Sequence, residues 1–517
     1  MVCATVKHPP GTESLCLDKP QLISNDRHAP GKRDTVPLQS NELQTIWKWN
    51  KTVPCSIEQC IDKLFEERTQ AHPMAPAVCA WDGNFTYGEL DEISTRLCQK
   101  LVQMGVGKDS IVPLCFEKSK WMTAAMMAVI KTGATFVTLD PAYPERRLSE
   151  IVKQVSAKTI ISSTRYEALG LRLVDTVVSL SEKTLTMKNG DDNLGSPIGI
   201  ARSTPSSILY IVFTSGSTGT PKGVLTEHRN VASAVYHQAD RLGINESSRF
   251  FDFSSYSYDV SISNILAILI QGGCVCTPSD EDRLGNIPGS IKTLNANITA
   301  ITPSIARLLD PESVPGLLRI ILVGEPVRAS DISRWKAPSH AICRYGVSEA
   351  SAASTIRDSF TPADQPSNIG TAAGLVTWIV DPNDHEKLCP LGAIGELLLE
   401  GPSLSRAYLK NPEKTATAYI NDPEWLMSGA YDYTGRPGRL YKTGDLVRYA
   451  KDGSIIYVGR KDNQVKVNGQ RVELGEIEHH IQECLPDEYQ QVLVELITLP
   501  GENSRPKLVA FIQQRPN

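Results

Sequence analysis

Residues 214–223 read Thr-Ser-Gly-Ser-Thr-Gly-Thr-Pro-Lys-Gly and directly follow the apolar run Ile208 to Phe213. A buried strand ending in such a loop brings backbone N–H groups and the hydroxyls of Thr214, Ser215, Ser217 and Thr218 around one small volume. Gly216 and Gly219 leave the approach free of side chains. Lys222 adds a charge-assisted contact. This chemistry suits a polyphosphate. The spacing departs from the P-loop pattern G-x-x-x-x-G-K-[ST], because Gly223 follows Lys222, and from the dinucleotide pattern G-x-G-x-x-G.

The elements that must position this loop alternate. VCAWDG and SIVPLCF read as short buried strands, and Glu89 to Met104 and Lys120 to Lys131 as helices. ILYIVFTSG and RIILVGE are strands running into Gly-containing turns, and TAITPS is another strand end. Apolar positions Ile57, Cys60, Ile61, Leu64 and Phe65 predict a helix over 56–70. The fold class is α/β: a large N-terminal core with parallel or mixed sheets flanked by helices. After Asp445 the texture changes to a hairpin arm (DGSIIYVGR), a helix over 475–483 and a strand (KLVAFIQQ), a small, truncated C-terminal α+β subdomain. Residues 1–43, rich in Pro, Ser, Asp and Lys, read as a loosely packed leader or linker. The expected core is 44–458 and the C-terminal part 459–517.

The 517 residues carry a net charge of −5, which argues against general nucleic-acid binding. Twelve cysteines without Cys-x-x-Cys or metal-ligand spacing read as reduced thiols of an intracellular protein. The N-terminal stretch lacks an apolar signal core, and no apolar run reaches membrane-span length. A cytoplasmic protein without membrane or nucleic-acid partners is the expectation. The nine histidines form no metal-spaced cluster in sequence; His228 reads as packed structure.

Further motifs follow in order: FTYGEL (85–90), IKTGATFVTLDPAYPERR (130–147), FDFSSYSYDVS (251–261), RYGVSE (344–349), GELLLEGPSLSRAYL (395–409), YKTGDLVRY (441–449) and GRKDNQVKVNGQRVELGEIE (459–478). Together with the loop they resemble the signatures of the adenylate-forming superfamily, which includes acyl-CoA synthetases, luciferases and the adenylation domains of nonribosomal peptide synthetases. LDPAYPERR and ELGEIE point to the peptide-synthetase branch, and IWKWNKTVP resembles the lead-in of fungal modules.

The resemblance implies ATP-dependent formation of an aminoacyl-AMP. The substrate carboxylate attacks the α-phosphate, pyrophosphate leaves, and the protein positions groups and neutralises charge. By position, Thr214, Ser215, Gly216, Ser217, Thr218, Gly219 and Lys222 hold the phosphates. Glu349 takes Mg2+, Asp445 the ribose hydroxyls, Tyr345 the adenine, and Arg460 the nucleotide near the hinge. In RYGVSE, Val347 replaces the family's usual Pro, and Ser348 replaces Thr while keeping a hydroxyl for phosphate.

Asp259 matches the acid that pairs with the substrate α-ammonium in amino-acid-activating members, as an ammonium leaving water requires. The remaining pocket positions match Val260, Ser263, Ala300, Ile321, Val323, Arg344, Ala352 and Ala353. Small apolar residues leave room for a large side chain. Arg344 is open to several roles: binding a substrate carboxylate or carbonyl, snorkelling to solvent, or pairing with a protein acid.

The resemblance also implies two catalytic poses about a hinge at Asp462. Lys466 serves the thioester-forming pose near the phosphopantetheine of a partner carrier domain. The last family motif, resembling NGKxDRxxL, whose Lys serves adenylation, is not found before Asn517. Nor is a carrier segment, so the chain reads as truncated or as the first domain of a longer one. Its expected partners are an amino acid and the peptidyl carrier and condensation domains of the same or a longer chain. A stand-alone acyl- or aryl-CoA ligase and a nucleotide-binding module with weak catalysis are the alternatives; Asp259 speaks against the first, and Lys222, Glu349 and Asp445 against the second.

Overall fold

The computed structural model describes residues 2–4, 38–182, 203–215, 220–335, 340–351, 353–360, 365–462, 464–467, 470–486, 489–497 and 507–514. Two large sheets dominate. The first has seven strands in the order Ala407–Tyr408, Lys222–Glu227, Ile208–Thr214, Thr135–Leu139, Ile111–Cys115, Thr159–Ser163 and Thr176–Leu180. Ile208–Thr214 and the four strands beyond it run parallel. Lys222–Glu227 returns antiparallel.

The second sheet begins with a parallel run: Pro76–Ala80, Cys274–Thr277, Arg249–Phe251, Ile298–Ile301, Arg319–Val323 and His340–Tyr345. It continues antiparallel through Thr355–Arg357, Asn368–Ala372, Ile455–Arg460, Arg439–Tyr449, Gly395–Glu400 and Val376–Asp381. The sheets therefore mix directions, as the α/β expectation allowed.

One apolar core joins the two sheets through helices Tyr87–Gln103, Lys120–Thr132 and Asp259–Ile270. Lys120–Thr132 starts at Ser119, whose hydroxyl accepts the Trp121 N–H, and stops at Gly133 in the left-handed conformation (φ 79°). Tyr87–Gln103 starts in a capping box: Thr86 accepts the Glu89 N–H, and the Glu89 carboxylate accepts the Thr86 N–H at 2.8 Å. FTYGEL is thus the start signal of a core helix.

Two expectations need correction. The helix expected over 56–70 is Ile61–Ala71. Upstream, the Ile57 N–H is captured by Ser233 Oγ (2.9 Å), and the Ile61 N–H donates to His228 Nδ1 (3.1 Å), so docking to another helix replaces a further turn. Order also reaches ahead of residue 44: helix Ser40–Asn50 buries Ile46 and Trp47, and Trp47 packs edge-on against Trp378 at 5.1 Å.

Beyond the second sheet, the hairpin Gln464–Val467 and Gln470–Glu473 leads into helix Leu474–Cys484. Strands Tyr489–Ile497 and Lys507–Gln514 pair antiparallel, and Val2–Ala4 adds parallel to the latter. No helix among the described residues is long and apolar enough to cross a membrane.

Candidate active site

Thr214 ends its strand directly opposite Lys222, so both ends of the Gly/Ser/Thr loop are clamped by sheet pairing. Gly216, Ser217, Thr218 and Gly219, between them, lie outside the described residues. Ser215 is buried. Among the described residues the buried Thr214 Oγ1 has no hydrogen-bond partner, which costs about 1–3 kcal/mol until one is supplied. That unmet hydroxyl fits a phosphate oxygen. A Cβ on Gly223 would come within 2.9 Å of Ile211 Cγ2, which is why Gly stands where a P-loop has Ser or Thr. Lys222 Nζ is held 3.4 Å from Glu473 Oε1 and 6.0 Å from the Tyr408 ring centre.

Glu349 sits on the short turn Ser348–Ala350 that follows strand His340–Tyr345. Ser351 ends the turn in the left-handed region (φ 52°), secured by its hydroxyl donating to Ser403 O at 2.8 Å. Glu349 is fully buried, and its Oε1 accepts the Tyr408 hydroxyl at 2.7 Å. Burial and the neighbouring Glu349 charge hold the Tyr408 phenol far above its usual pKa, so it stays a donor. A buried carboxylate beside the Lys222 loop is a hard-oxygen ligand of the kind Mg2+ prefers, so Glu349 fits that ion.

Asp445 lies within strand Arg439–Tyr449, paired opposite Arg460, beside an irregularity in the pairing with Gly395–Glu400. Gly444 takes φ 72°, and a Cβ there would meet Arg460 Nη2 at 2.8 Å; the glycine therefore permits both the left-handed backbone within the strand and the approach of Arg460. Asp445 Oδ1 accepts Arg460 Nη1 at 3.0 Å, and Oδ2 accepts the Tyr345 hydroxyl. Burial, followed by the Asp445 charge, pushes Tyr345 well above its usual pKa. Arg460 also donates to both Asp462 oxygens (2.9 and 2.6 Å) and to Gln464 Oε1 (2.9 Å). The Gln464 amide in turn donates to Glu473 Oε1, the partner of Lys222. One polar chain thus runs from Asp445 to Lys222 through residues 460–473. Lys466 stands in its hairpin opposite Arg471.

The expected substrate pocket assembles on one sheet face. Strand register sets Ala300 beside Ile321 and Val323 beside Arg344. By strand alternation these four share a face, while Ile301, Leu322 and Cys343 pack in a core on the other. Ala353 is fully buried, Val260 and Ser263 lie on helix Asp259–Ile270, and Ala352 lies outside the described residues. Asp259 opens that helix, and its Oδ1 accepts the Val260 N–H at 2.8 Å. It retains some accessible surface, yet protein crowds its carboxyl. This desolvation raises its pKa despite a Ser348 hydrogen bond and the Arg344 charge. Ser348, expected on phosphate, lies in the neighbourhood of the Asp259 carboxyl. Arg344 does not snorkel; it is 3% exposed and donates to Asn264 Oδ1 (2.8 Å) and Ser263 Oγ (3.2 Å).

Sequence reasoning missed Tyr408, Gln464, Glu473 and Asn264. The first three fall inside the quoted motifs GELLLEGPSLSRAYL and GRKDNQVKVNGQRVELGEIE, which was the available signal. Cys60, Asp62 and His228 also bring potential ligand atoms within 4.8 Å of one another, across a sequence gap that hides the cluster. Burial lowers His228 to about 4 and raises Cys60 to about 11, so both are neutral near pH 7, and His228 Nδ1 is occupied by the Ile61 amide.

The chain is 46% identical over 502 residues, 96% of its length, to nonribosomal peptide synthetase dtxS1 of Metarhizium robertsii, and spans 6% of that protein. It is 44% identical over 484 residues to nonribosomal peptide synthetase sidD of Aspergillus fumigatus, covering 93% of this chain and 23% of that one. A structure of an NRPS protein with adenylation and PCP domains, bound to a vinylsulfonamide inhibitor, superposes with TM-score 0.76 at 22% identity, over 89% of this chain and 77% of that one. The NpsA-ThdA adenylation–PCP fusion from Klebsiella oxytoca gives 0.75 at 23%, over 89% and 82%. These two likenesses establish the fold. The AMP-binding enzyme profile matches residues 65–409, and the chain belongs to the AMP-binding enzyme family.

Proposed function

We propose that the chain activates an amino acid with ATP, forming aminoacyl-AMP and pyrophosphate, for transfer as a thioester to the phosphopantetheine of a peptidyl carrier domain. One observation carries this reading. The two halves of the site meet at Ser348-Glu349: Ser348 lies near enough to Asp259 to hold its pKa down, while Glu349 accepts the Tyr408 hydroxyl, beside Lys222. A carboxylate for an ammonium thus stands next to the groups suited to a polyphosphate.

In this reading Asp259 anchors the substrate ammonium and leaves its carboxylate free. A carboxylate oxygen bonds to the α-phosphorus, the bond to the bridging oxygen breaks, and the electron pair leaves on pyrophosphate. Thr214, Ser215 and Lys222 hold the phosphates. Asp445 and Tyr345 orient the nucleoside, with Arg460 beside them. Mg2+, when bound at Glu349, neutralises phosphate charge. The chain from helix Ser40–Asn50 through residue 458 acts as the core, and 459–517 turn about Asp462 to bring Lys466 to the thioester step. The mainly polar contacts of this segment, Lys222–Glu473, Arg147–Glu476 at 3.0 Å and Arg146–Glu483 at 3.4 Å, suit a surface that parts and re-forms.

ATP–pyrophosphate exchange tests the reading. Exchange stimulated by amino acids is expected. Stimulation only by fatty or aryl acids, with acyl-CoA formed when CoA is added, would instead indicate a CoA ligase.

A further inference from the structure

Arg344 is the part of the pocket that amino-acid activation by itself does not use. Its guanidinium is enclosed and held by two neutral acceptors, Asn264 and Ser263. Among the described residues its buried Nε–H has no acceptor. Among the described residues it forms no ion pair; Asp259 acts on it only through longer-range charge, and burial lowers its pKa to about 10. It therefore remains a cation at neutral pH, and a buried cation without a touching anion is costly.

Counting charge shows what would relieve it. Asp259 and Arg344 roughly balance in the empty pocket. A substrate ammonium adds one positive charge, and its α-carboxylate faces the nucleotide side of the site, where it becomes a mixed anhydride with AMP. A neutral side chain leaves the pocket one charge positive, and a cationic one leaves it two. A side-chain carboxylate restores neutrality and supplies the acceptor that Nε lacks. Beside the guanidinium opens a cavity whose other walls include Val235, Ala239, Leu242 and Ala267. Gln238 and Ser351 also line it, but the Gln238 amide N–H groups already donate to Ala353 O and Ala373 O and the Ser351 hydroxyl to Ser403 O, so the rest of the wall suits methylenes.

We infer that the substrate is an α-amino acid whose side chain ends in a carboxylate, received by Arg344 while Ser263 and Asn264 fix the guanidinium. This rests on the amino-acid-activating reading above. A side-chain amide would fill the hydrogen bond but not the charge, and ranks second.

Calorimetric titration tests this without requiring turnover. The chain, with Mg2+ and a non-hydrolysable ATP analogue, is titrated with aspartate, glutamate, 2-aminoadipate, glutamine, leucine and lysine. One of the three acids should bind roughly tenfold to a hundredfold tighter than glutamine, the range for a hydrogen bond to a charged group, with leucine and lysine weaker still. Arg344→Met should erase the preference, and Arg344→Lys should keep part of it. Tightest binding by leucine, lysine or glutamine overturns the inference and leaves amino-acid activation standing. If none of the six binds while the ATP analogue does, the activation reading itself fails, and this inference with it.

Discussion

The nucleotide side and the acyl side of the site handle charge in opposite ways. Lys222 and Asp445 each already grip a protein partner, Glu473 at 3.4 Å and Arg460 at 3.0 Å, both from the segment after residue 458. In the acyl pocket Asp259 and Arg344 sense each other's charge without forming an ion pair. Nucleotide binding is therefore an exchange of partners, whose net gain is what remains after the internal contacts are given up. Acyl binding supplies partners that are missing, so the pocket charges should govern affinity for the acid more than the network governs affinity for ATP.

The largest effects fall where no substitute charge exists. Lys222→Ala should lower pyrophosphate exchange about a hundredfold to a thousandfold, the range for removing a charge-stabilising donor. Glu349→Gln should do likewise and raise the Mg2+ concentration needed. Next, Asp259→Asn should weaken amino-acid binding roughly a hundredfold, in the range for a lost buried charge partner, with ATP affinity unchanged by calorimetry. Because burial raises the Asp259 pKa, its carboxylate begins to take up protons at a higher pH than an ordinary aspartate. The Michaelis constant for the amino acid should accordingly rise as pH falls into the mildly acidic range. Equal loss of ATP and amino-acid affinity in Asp259→Asn would erase the contrast between the two sides.

A smaller effect sharpens the contrast. Glu473→Gln releases Lys222 from its internal anion, so ATP should bind about threefold to tenfold tighter, on the scale of one charged hydrogen bond. Unchanged or weaker binding would mean that Glu473 does not compete with phosphate. The smallest effect lies outside the site. His228 is buried neutral with a pKa lowered to about 4 from 6.5. Between those values the unfolded chain binds the extra proton, so stability should fall as pH drops from about 6.5 toward 4, by about 3 kcal/mol at most. Urea titrations at several pH values should show this dependence, and His228→Gln should flatten it.

The division between what could and could not be read from sequence follows the same physics. Asp259, Glu349 and Asp445 could be picked out as candidates because each sits in a motif whose neighbours serve local geometry: Gly444 for the left-handed backbone before Asp445, the helix start at Asp259, the short turn at Glu349. The α/β alternation was legible because buried strands and amphipathic helices write their own periods. Glu473 and Tyr408 were not assigned, since their roles arise from pairing through space, 251 residues apart for Lys222 and Glu473. The start of the second helix was misplaced for a related reason. Ser233 and His228 capture amides at 57 and 61 from another helix, and no local pattern records that. Arg344 lay between: its type was visible, but only strand register and the contacts to Ser263 and Asn264 turned it inward.

The central claim is that one hub at Ser348-Glu349 joins an ammonium site to a nucleotide site. A crystal structure of the chain with a non-hydrolysable aminoacyl-AMP analogue tests it most directly. The account predicts the amine within hydrogen-bond reach of Asp259 and the ribose hydroxyls on Asp445, with the phosphorus between them near Thr214 and Lys222. An analogue bound with its amine away from Asp259, or its ribose away from Asp445, would contradict it.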